Sequence, residues 1–163
     1  MIRPVQVSDA PAIARIYQPY VTNTTISFET EPPSVDKIAA RIQKIMVRHS
    51  WLVYESAGAL LGYAYTSTFR ERPAYQSTVE STIYLDQAAI GRGIGRELYQ
   101  ALLDDAALKG YREALGVIAL PNDLSVKLHE KLGFVKVAHL EKIGHKFNQW
   151  IDVSLWQKHL LSV

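Results

Sequence analysis

The sequence predicts an α/β fold with a mixed sheet. Strand-like segments occur on both sides of helix-like segments, a hairpin is predicted early, and a second pair of strands closes the chain. Neither a repeat nor a Gly/Ser linker divides the 163 residues. A chain of this length suits one domain, because it can bury roughly two thirds of its unfolded surface. We therefore expect a single domain over residues 1–163.

The N-terminal half predicts a short strand, two helices and a hairpin. Ser8 is a suitable helix N-cap, with Pro11 tolerated in the first turn, and Ser34 is a suitable cap for a second helix. Apolar residues follow both caps at helical spacing. Ala57-Gly58 joins two strand-like segments and so predicts the hairpin turn. In order, we expect a strand at residues 2–7, a helix after Ser8, a loop or irregular strand at 22–30, a helix after Ser34, and strands at 51–55 and 60–69.

The C-terminal half alternates strands with helices. Gly110 and Gly133 follow helix-like segments, and glycine often ends a helix because it adopts the left-handed conformation at little cost. The other segments are rich in β-branched and apolar residues. In order, we expect a strand at residues 78–85, a helix at 93–109, a strand at 114–119, a helix at 125–132, and strands at 135–143 and 150–156.

Composition and charge exclude several classes of protein. The 18 Lys and Arg nearly balance the 16 Asp and Glu, and no run of five like charges occurs, so no nucleic-acid partner is expected. The absence of cysteine excludes disulfides, thiolate metal sites and a cysteine nucleophile. The five histidines show no metal-ligand spacing with carboxylates, so no metal is expected. A bilayer span needs roughly 20 apolar residues. The sequence contains no apolar stretch of that length, and its first residues do not resemble a signal peptide. We therefore expect a cytoplasmic protein without a membrane partner.

A glycine-rich loop lies between a predicted strand and a predicted helix, at Gly91-Arg92-Gly93-Ile94-Gly95-Arg96. Glycines allow backbone N–H groups to approach a ligand, and a helix N-terminus favours an anion, so the loop suits a phosphate or diphosphate. It lacks the Gly-Lys-Ser/Thr of a P-loop, and Arg96 replaces the last glycine of a dinucleotide fingerprint. A glycine turn without any ligand remains the alternative from these residues alone.

The loop and several other segments resemble the GNAT superfamily of N-acetyltransferases. The superfamily motifs are matched by Ser81-Thr82-Ile83-Tyr84-Leu85, Gly91-Arg92-Gly93-Ile94-Gly95, Asn122 and Leu132-Gly133-Phe134, with Ile90 departing from the usual Gln or Arg at the first loop position. More specific blocks resemble the phosphinothricin and methionine sulfoximine acetyltransferase branch. These are Thr25-Ile26-Ser27-Phe28-Glu29-Thr30-Glu31, Arg72-Pro73-Ala74-Tyr75, Val79-Glu80-Ser81-Thr82-Ile83-Tyr84, Leu120-Pro121-Asn122-Asp123-Leu124-Ser125 and Gly144-His145-Lys146.

The resemblance implies a fold, a cosubstrate and an assembly. The fold would be a mostly antiparallel central sheet flanked by helices, and the cosubstrate would be acetyl-CoA, with its diphosphate on the glycine loop. The branch is usually homodimeric, so a homodimer is implied as well. The residues implied in acetyl-CoA binding are Ile83, Tyr84, Leu85, Gly91, Arg92, Gly93, Ile94, Gly95, Arg96, Asn122 and Ser125.

Two titratable residues are candidates for the chemistry. Glu80 shares one strand face with Thr82 and Tyr84, and a carboxylate in so apolar a strand is unusual unless it is paired or functional. It is either a solvated strand glutamate or, as the resemblance implies, the general base. His129 has two interpretations. It is a histidine on the helix surface, or it serves the leaving thiolate as an acid or proton relay. Many superfamily members have tyrosine at this position.

The remaining candidates concern the acceptor. Arg72 could grip a carboxylate with its two-pronged donor set, although without the resemblance it is an ordinary loop arginine. The other acceptor candidates are Tyr75, His145 and Lys146 as donors and Phe28 as an apolar wall. We expect direct acetyl transfer to the α-amino group of a small amino acid such as phosphinothricin or methionine sulfoximine or sulfone, with herbicide resistance as one consequence. A different amine, a peptide N-terminus and a non-catalytic acyl-CoA sensor remain alternatives.

Overall fold

The computed structural model describes residues 1–161, which form seven strands and four helices. The strands are β1 (Ile2–Pro4), β2 (Trp51–Ser56), β3 (Ala59–Thr68), β4 (Thr78–Leu85), β5 (Glu113–Ala119), β6 (Val135–Lys146) and β7 (Gln149–His159). The helices are α1 (Ala10–Asn23), α2 (Val35–Met46), α3 (Ile94–Leu108) and α4 (Asp123–Lys131). Every predicted strand and helix is therefore present, and β4 begins and ends where the sequence predicts.

All seven strands belong to one sheet, in the order β1-β2-β3-β4-β5-β7-β6. Only the β4–β5 pair is parallel, which confirms the prediction of a mixed, mostly antiparallel sheet. Helices α1 and α2 bury one face of the N-terminal strands, with Ile13 and Ile38 packed near Val53. Helix α3 buries the other face, where Leu98 joins a core with Val79.

Two predicted boundaries near the N-terminus were wrong. Strand β1 ends at Pro4 instead of residue 7, and a 3-10 turn at Val7–Asp9 follows it. Asp9, not Ser8, stands immediately before α1, and its carboxylate accepts hydrogen bonds from the Gln6 N–H (2.8 Å) and from Arg3 (2.9 Å). Ser34 does cap α2, because its hydroxyl oxygen accepts from the Lys37 N–H at 3.2 Å.

The last two strands are longer than predicted because a two-residue turn joins them. Phe147 and Asn148 have φ values of 51° and 56°, the left-handed conformation that both central residues of a type I′ turn require. Strand β6 therefore continues to Lys146, and β7 begins at Gln149.

The sheet divides between its two parallel strands. Pairing of β4 with β5 begins at Thr78 and Glu113 and ends at Ser81 and Gly116. Beyond that point β4 remains paired with β3, and β5 remains paired with β7. On the side that faces β5, the second half of β4 therefore borders a cleft inside the sheet and not a paired strand.

Leu85, at the end of β4, is held between two glycines. A Cβ atom on Gly62 would lie 2.4 Å from Leu85 Cδ2 and 3.1 Å from the Tyr84 carbonyl oxygen, and one on Gly95 would lie 3.2 Å from Leu85 Cδ1. We expect Gly62→Ala to lower the free energy of unfolding by about 1–3 kcal/mol, the usual cost of overpacking a core. Urea denaturation measures this change, and an unaltered midpoint and slope would show that Leu85 repacks freely.

Candidate active site

The cleft exposes peptide groups of β4. The Asp86 N–H donates to the Leu61 carbonyl at 2.9 Å, which fixes the alternation of the antiparallel ladder between β3 and β4. Even-numbered residues of β4 therefore bond to β3, and the peptide groups of Ile83 and Leu85 point the other way, to the side from which β5 has diverged. Of these groups, the Leu85 carbonyl also accepts from the Tyr20 hydroxyl at 2.7 Å. An extended ligand with amide groups can pair with this edge as a strand would.

The glycine loop leads directly into α3. Gly91 and Gly93 both have φ of 81°, a conformation that favours glycine, and Gly93 occupies the N-cap position of α3, where it offers no capping side chain. The first amides of α3 are thus left without a side-chain acceptor and carry the positive end of the helix dipole. Arg92 and Arg96 are exposed beside them, whereas Ile94 and Gly95 are buried. The loop fits a diphosphate.

Asn122 and Ser125 lie at the start of α4, just after β5, the other strand of the cleft. The Asn122 side-chain oxygen accepts from the Ser125 N–H at 3.2 Å, so Asn122 caps α4. An amide side chain that caps through its oxygen keeps its NH₂ group for a ligand.

Glu80 lies one residue before the point where the sheet divides. It pairs with Ser67 of β3 and Leu115 of β5, and the side chain is half-buried on the face that carries Thr82 and Tyr84. Burial raises the pKa of its carboxyl group. Among residues 1–161 no hydrogen bond or ion pair to this carboxylate is found. It is thus a half-buried carboxylate without a counter-charge, which suits proton transfer.

His129 is buried, with 4% of its surface exposed, so the interpretation as a helix-surface histidine is wrong. Its Nδ1 lies 2.7 Å from the Ser125 carbonyl oxygen and its Nε2 lies 3.0 Å from the Tyr99 hydroxyl. Burial lowers the pKa of the imidazole. Its role as an acid stays a prediction.

The acceptor candidates fall into two groups. Arg72 and Tyr75 are exposed on the β3–β4 loop, where the Tyr75 ring packs edge-on to Phe69 at 5.6 Å between centroids. Arg72 lines a cavity of about 180 Å³ together with two further arginines, Arg48 and Arg70, and one carboxylate, Glu71. The cavity is therefore predominantly basic.

The second group lies where the α1–α2 loop meets the β6–β7 hairpin. The Phe28 ring covers Gly144, where an added Cβ would lie 2.4 Å from it. Lys146 is buried and its Nζ donates to the Ser27 carbonyl at 2.6 Å, so it ties the hairpin to the loop that carries Phe28. His145 is exposed and packs against Trp150 at 4.6 Å between ring centroids.

Sequence reasoning missed a polar network that fixes the Phe28 loop. Glu29 pairs with Arg41 of α2 at 2.5 Å, and the Tyr17 hydroxyl donates to Glu29 at 2.5 Å while also lying 2.6 Å from the Ser27 hydroxyl. Arg41 holds the pKa of the Glu29 carboxyl below its usual value. Ser27 and Glu29 lie within a block that already resembles the branch, whereas nothing in the sequence marks Arg41.

Residues 1–161 contain neither a membrane-spanning helix nor a cluster of metal ligands. No helix in that range combines the length and apolar character needed to cross a membrane. Nor does that range contain a group of three or more His, Asp or Glu side chains arranged to hold a metal ion.

Comparisons with known proteins agree with this geometry. Residues 2–155 match the family model described as an acetyltransferase (GNAT) domain. A phosphinothricin N-acetyltransferase of Streptomyces viridochromogenes is 37% identical over 157 residues, which cover 96% of this chain and 86% of that protein. An L-methionine sulfoximine/L-methionine sulfone acetyltransferase of Pseudomonas paraeruginosa is 31% identical, with 98% and 94% covered.

A solved structure also superimposes on the whole fold. The GNAT phosphinothricin acetyltransferase of Sinorhizobium meliloti, in complex with acetyl-CoA, matches with a TM-score of 0.94 and 34% identity, covering 98% of this chain and 87% of that one. The match in sequence thus extends through the split sheet and the glycine loop. The chain belongs to the GNAT family and is an N-acetyltransferase.

Proposed function

We propose that the protein transfers the acetyl group of acetyl-CoA to the α-amino group of a small amino acid of the phosphinothricin and methionine sulfoximine class. The observation that carries the proposal is Glu80, a half-buried carboxylate beside the cleft that has no partner among residues 1–161. The names of the Streptomyces and Pseudomonas relatives support the acceptor class.

The proposed donor site follows the cleft from the glycine loop to Ser81. The amides of Gly93, Ile94, Gly95 and Arg96 would bind the diphosphate, with Gly91 and Arg92 completing the loop. The peptide groups of Ile83, Tyr84 and Leu85 would form the strand wall of the pantetheine site, those of Ile83 and Leu85 pairing with its amides. Asn122 and Ser125 would contact the pantetheine arm from α4.

The proposed reaction needs one base and no covalent enzyme intermediate. Glu80 takes a proton from the acceptor ammonium through a water molecule, and the free amine attacks the thioester carbonyl. The new C–N bond forms and the C–S bond breaks as the thiolate leaves. The amine nitrogen loses its second proton at this stage, and that proton passes to the thiolate. A direct transfer fits a chain without cysteine.

The proposed acceptor site uses the two groups of side chains described above. Arg72 would hold the acceptor carboxylate, with Tyr75 beside it, and Phe28 would form an apolar wall. His145 and Lys146 would act from the hairpin, although the contact seen for Lys146 is with Ser27.

The acceptor is tested by following thiol release from acetyl-CoA with a chromogenic disulfide reagent, which a cysteine-free protein does not consume. Phosphinothricin, methionine sulfoximine and methionine sulfone are expected to give saturable turnover. Turnover confined to spermidine or a short peptide would favour a different amine or a peptide N-terminus. Tight acetyl-CoA binding without any turnover would favour a sensor.

Arg72→Ala is expected to raise the acceptor KM about tenfold or more, because a charge-assisted hydrogen bond contributes about 1.5–3 kcal/mol. The KM for acetyl-CoA should not change, since Arg72 lies outside the proposed donor site. Arg15→Ala, another exposed arginine, is the matched control. Steady-state kinetics with both substrates varied measures both KM values. Equal effects of Arg72→Ala and Arg15→Ala on the acceptor KM would refute the proposal that Arg72 holds the acceptor carboxylate.

We also propose a cytoplasmic homodimer. The helices leave exposed apolar side chains on the C-terminal part of the sheet, which a second copy would cover: Val117, Val135, Val137, Ile143 and Trp150. The cytoplasmic location rests on the absence of cysteine, which suits a reducing compartment.

A further inference from the structure

A chain of buried hydrogen bonds crosses the molecule where the sheet divides. The Ser81 hydroxyl of β4 lies 2.8 Å from the Tyr99 hydroxyl of α3, which lies 3.0 Å from Nε2 of His129 on α4. Nδ1 of His129 lies 2.7 Å from the carbonyl oxygen of Ser125. Ser81 is also the last residue of β4 that pairs with β5. The chain therefore connects the origin of the cleft to both neighbouring helices.

The chemistry of the acceptors fixes the direction of these bonds in the neutral state. A carbonyl oxygen only accepts, so Nδ1 of His129 carries the proton and donates to Ser125. In a neutral imidazole Nε2 is then an acceptor for the Tyr99 hydroxyl proton. The single proton of the Ser81 hydroxyl is shared between two acceptors, the Tyr99 oxygen and the carbonyl oxygen of Leu115 on β5, which lies 3.1 Å away. Burial, which lowers the imidazole pKa, favours this neutral form. Both hydroxyl groups and both ring nitrogens therefore have a hydrogen-bond partner while the imidazole is neutral.

The packing around the imidazole leaves no room for an alternative position. A Cβ on Gly116, the β5 partner of Ser81, would lie 2.5 Å from Nε2 of His129. The ring of Phe134 packs edge-on to the imidazole at 4.9 Å, and Tyr99 is fully buried. The absence of a side chain at position 116 thus creates the space that His129 fills between β5 and α4.

We propose that Tyr99 and His129 are positioning residues for acetyl transfer: through Ser81 they fix the separation of β4 and β5 at the origin of the cleft. Glu80 immediately precedes Ser81 on β4, so a shift of Ser81 moves the base relative to the thioester. The proposal rests on the acetyl transfer proposed above, and it gives His129 a role other than that of an acid.

The test combines two conservative variants. Tyr99→Phe removes one oxygen and keeps the ring; we expect acetyl-CoA affinity, measured by calorimetry, to fall about fivefold and kcat about tenfold, the latter corresponding to about 1.4 kcal/mol. The acceptor KM should be unchanged. His129→Gln cannot titrate but can still accept from Tyr99, and it should retain most of kcat and the wild-type pH profile of kcat/KM.

Tyr111→Phe is the matched control. Like that of Tyr99, the buried Tyr111 hydroxyl lies near a histidine nitrogen, at 3.2 Å, but it donates to the Arg48 carbonyl at 3.0 Å and is outside the cleft. Tyr111→Phe should lower the stability of the protein without the fall in acetyl-CoA affinity expected for Tyr99→Phe. Wild-type affinity and kcat in Tyr99→Phe would overturn the proposal. So would an inactive, folded His129→Gln whose pH profile lacks an ionisation, since that result identifies an acid. Because calorimetry needs no acceptor, a wrong acceptor class leaves the affinity readout intact.

Discussion

Replacing Glu80 by glutamine is expected to lower kcat/KM for the acceptor by about 10²–10⁴-fold, the usual contribution of a positioned general base. Glutamine keeps the size of the side chain but cannot take the proton of the acceptor ammonium. The KM for acetyl-CoA should stay near that of the wild type, because the proposed donor contacts are backbone groups and the glycine loop. Steady-state kinetics and calorimetric titration with acetyl-CoA measure the two effects separately.

The pH dependence of this variant supplies an independent check. Since burial raises the pKa of Glu80, the acid limb of the wild-type profile of kcat/KM should lie above the usual range of a glutamate and should be absent in Glu80→Gln. Glu141→Gln, at an exposed position of β6, is the control. An acid limb that survives in Glu80→Gln would assign the base to another group.

The same pKa shift predicts the stability of the variant. A raised pKa means that the folded chain holds the proton more tightly than the unfolded chain does. The resulting stabilisation is complete below the unfolded pKa and is lost as the pH rises through the folded pKa. Glu80→Gln should therefore unfold at the same or a higher urea concentration than the wild type at pH 7, and the difference should vanish in acid.

The second large effect is expected at Gly93. An alanine Cβ there meets no atom within 4 Å, so the protein should fold, at the cost of holding alanine at φ of 81°. The same Cβ stands beside the first amides of α3, where the diphosphate is proposed to bind. We expect Gly93→Ala to weaken acetyl-CoA binding tenfold or more, or about 1.4 kcal/mol, in calorimetric titrations.

Gly58→Ala provides a closely matched control for that experiment. Gly58 has φ of 76°, also has open space around its Cβ position, and lies in the β2–β3 turn far along the chain from the loop. Both variants should lose similar stability, because both impose the same backbone strain. Equal acetyl-CoA affinities in the two variants would remove the glycine loop from the donor site.

Much of the fold could be predicted because its signals are local. The alternation of residues 78–85 and the turn at Ala57-Gly58 depend on near neighbours in the chain, and both predictions were confirmed. The predicted cap at Ser8 was wrong, because Asp9 is the residue that precedes α1 and its carboxylate pairs with Arg3. That pairing depends on how β1 meets the turn before α1.

The candidate site was less accessible from sequence because its contacts join distant parts of the chain. Lys146 meets Ser27 across 119 positions, and Tyr99 meets His129 across 30. The sequence shows that position 146 is a lysine, but it does not show that the lysine ammonium is buried and bonded to a backbone carbonyl. The resemblance to the acetyltransferase branch identified the segment that contains Phe28. Only the fold shows that Arg41 and Tyr17 hold this segment in place.

The divided sheet also links the protein's stability to its cosubstrate. The edge of β4 beyond Ser81 exists only in the folded chain, so a ligand that pairs with it binds the native state and not the unfolded one. Acetyl-CoA at a hundred times its Kd would then add about 2.7 kcal/mol to the free energy of unfolding. The melting temperature should rise with the logarithm of acetyl-CoA concentration even when no acceptor is supplied. At low acetyl-CoA concentration the native state would therefore resist unfolding less than it does when the cosubstrate is abundant.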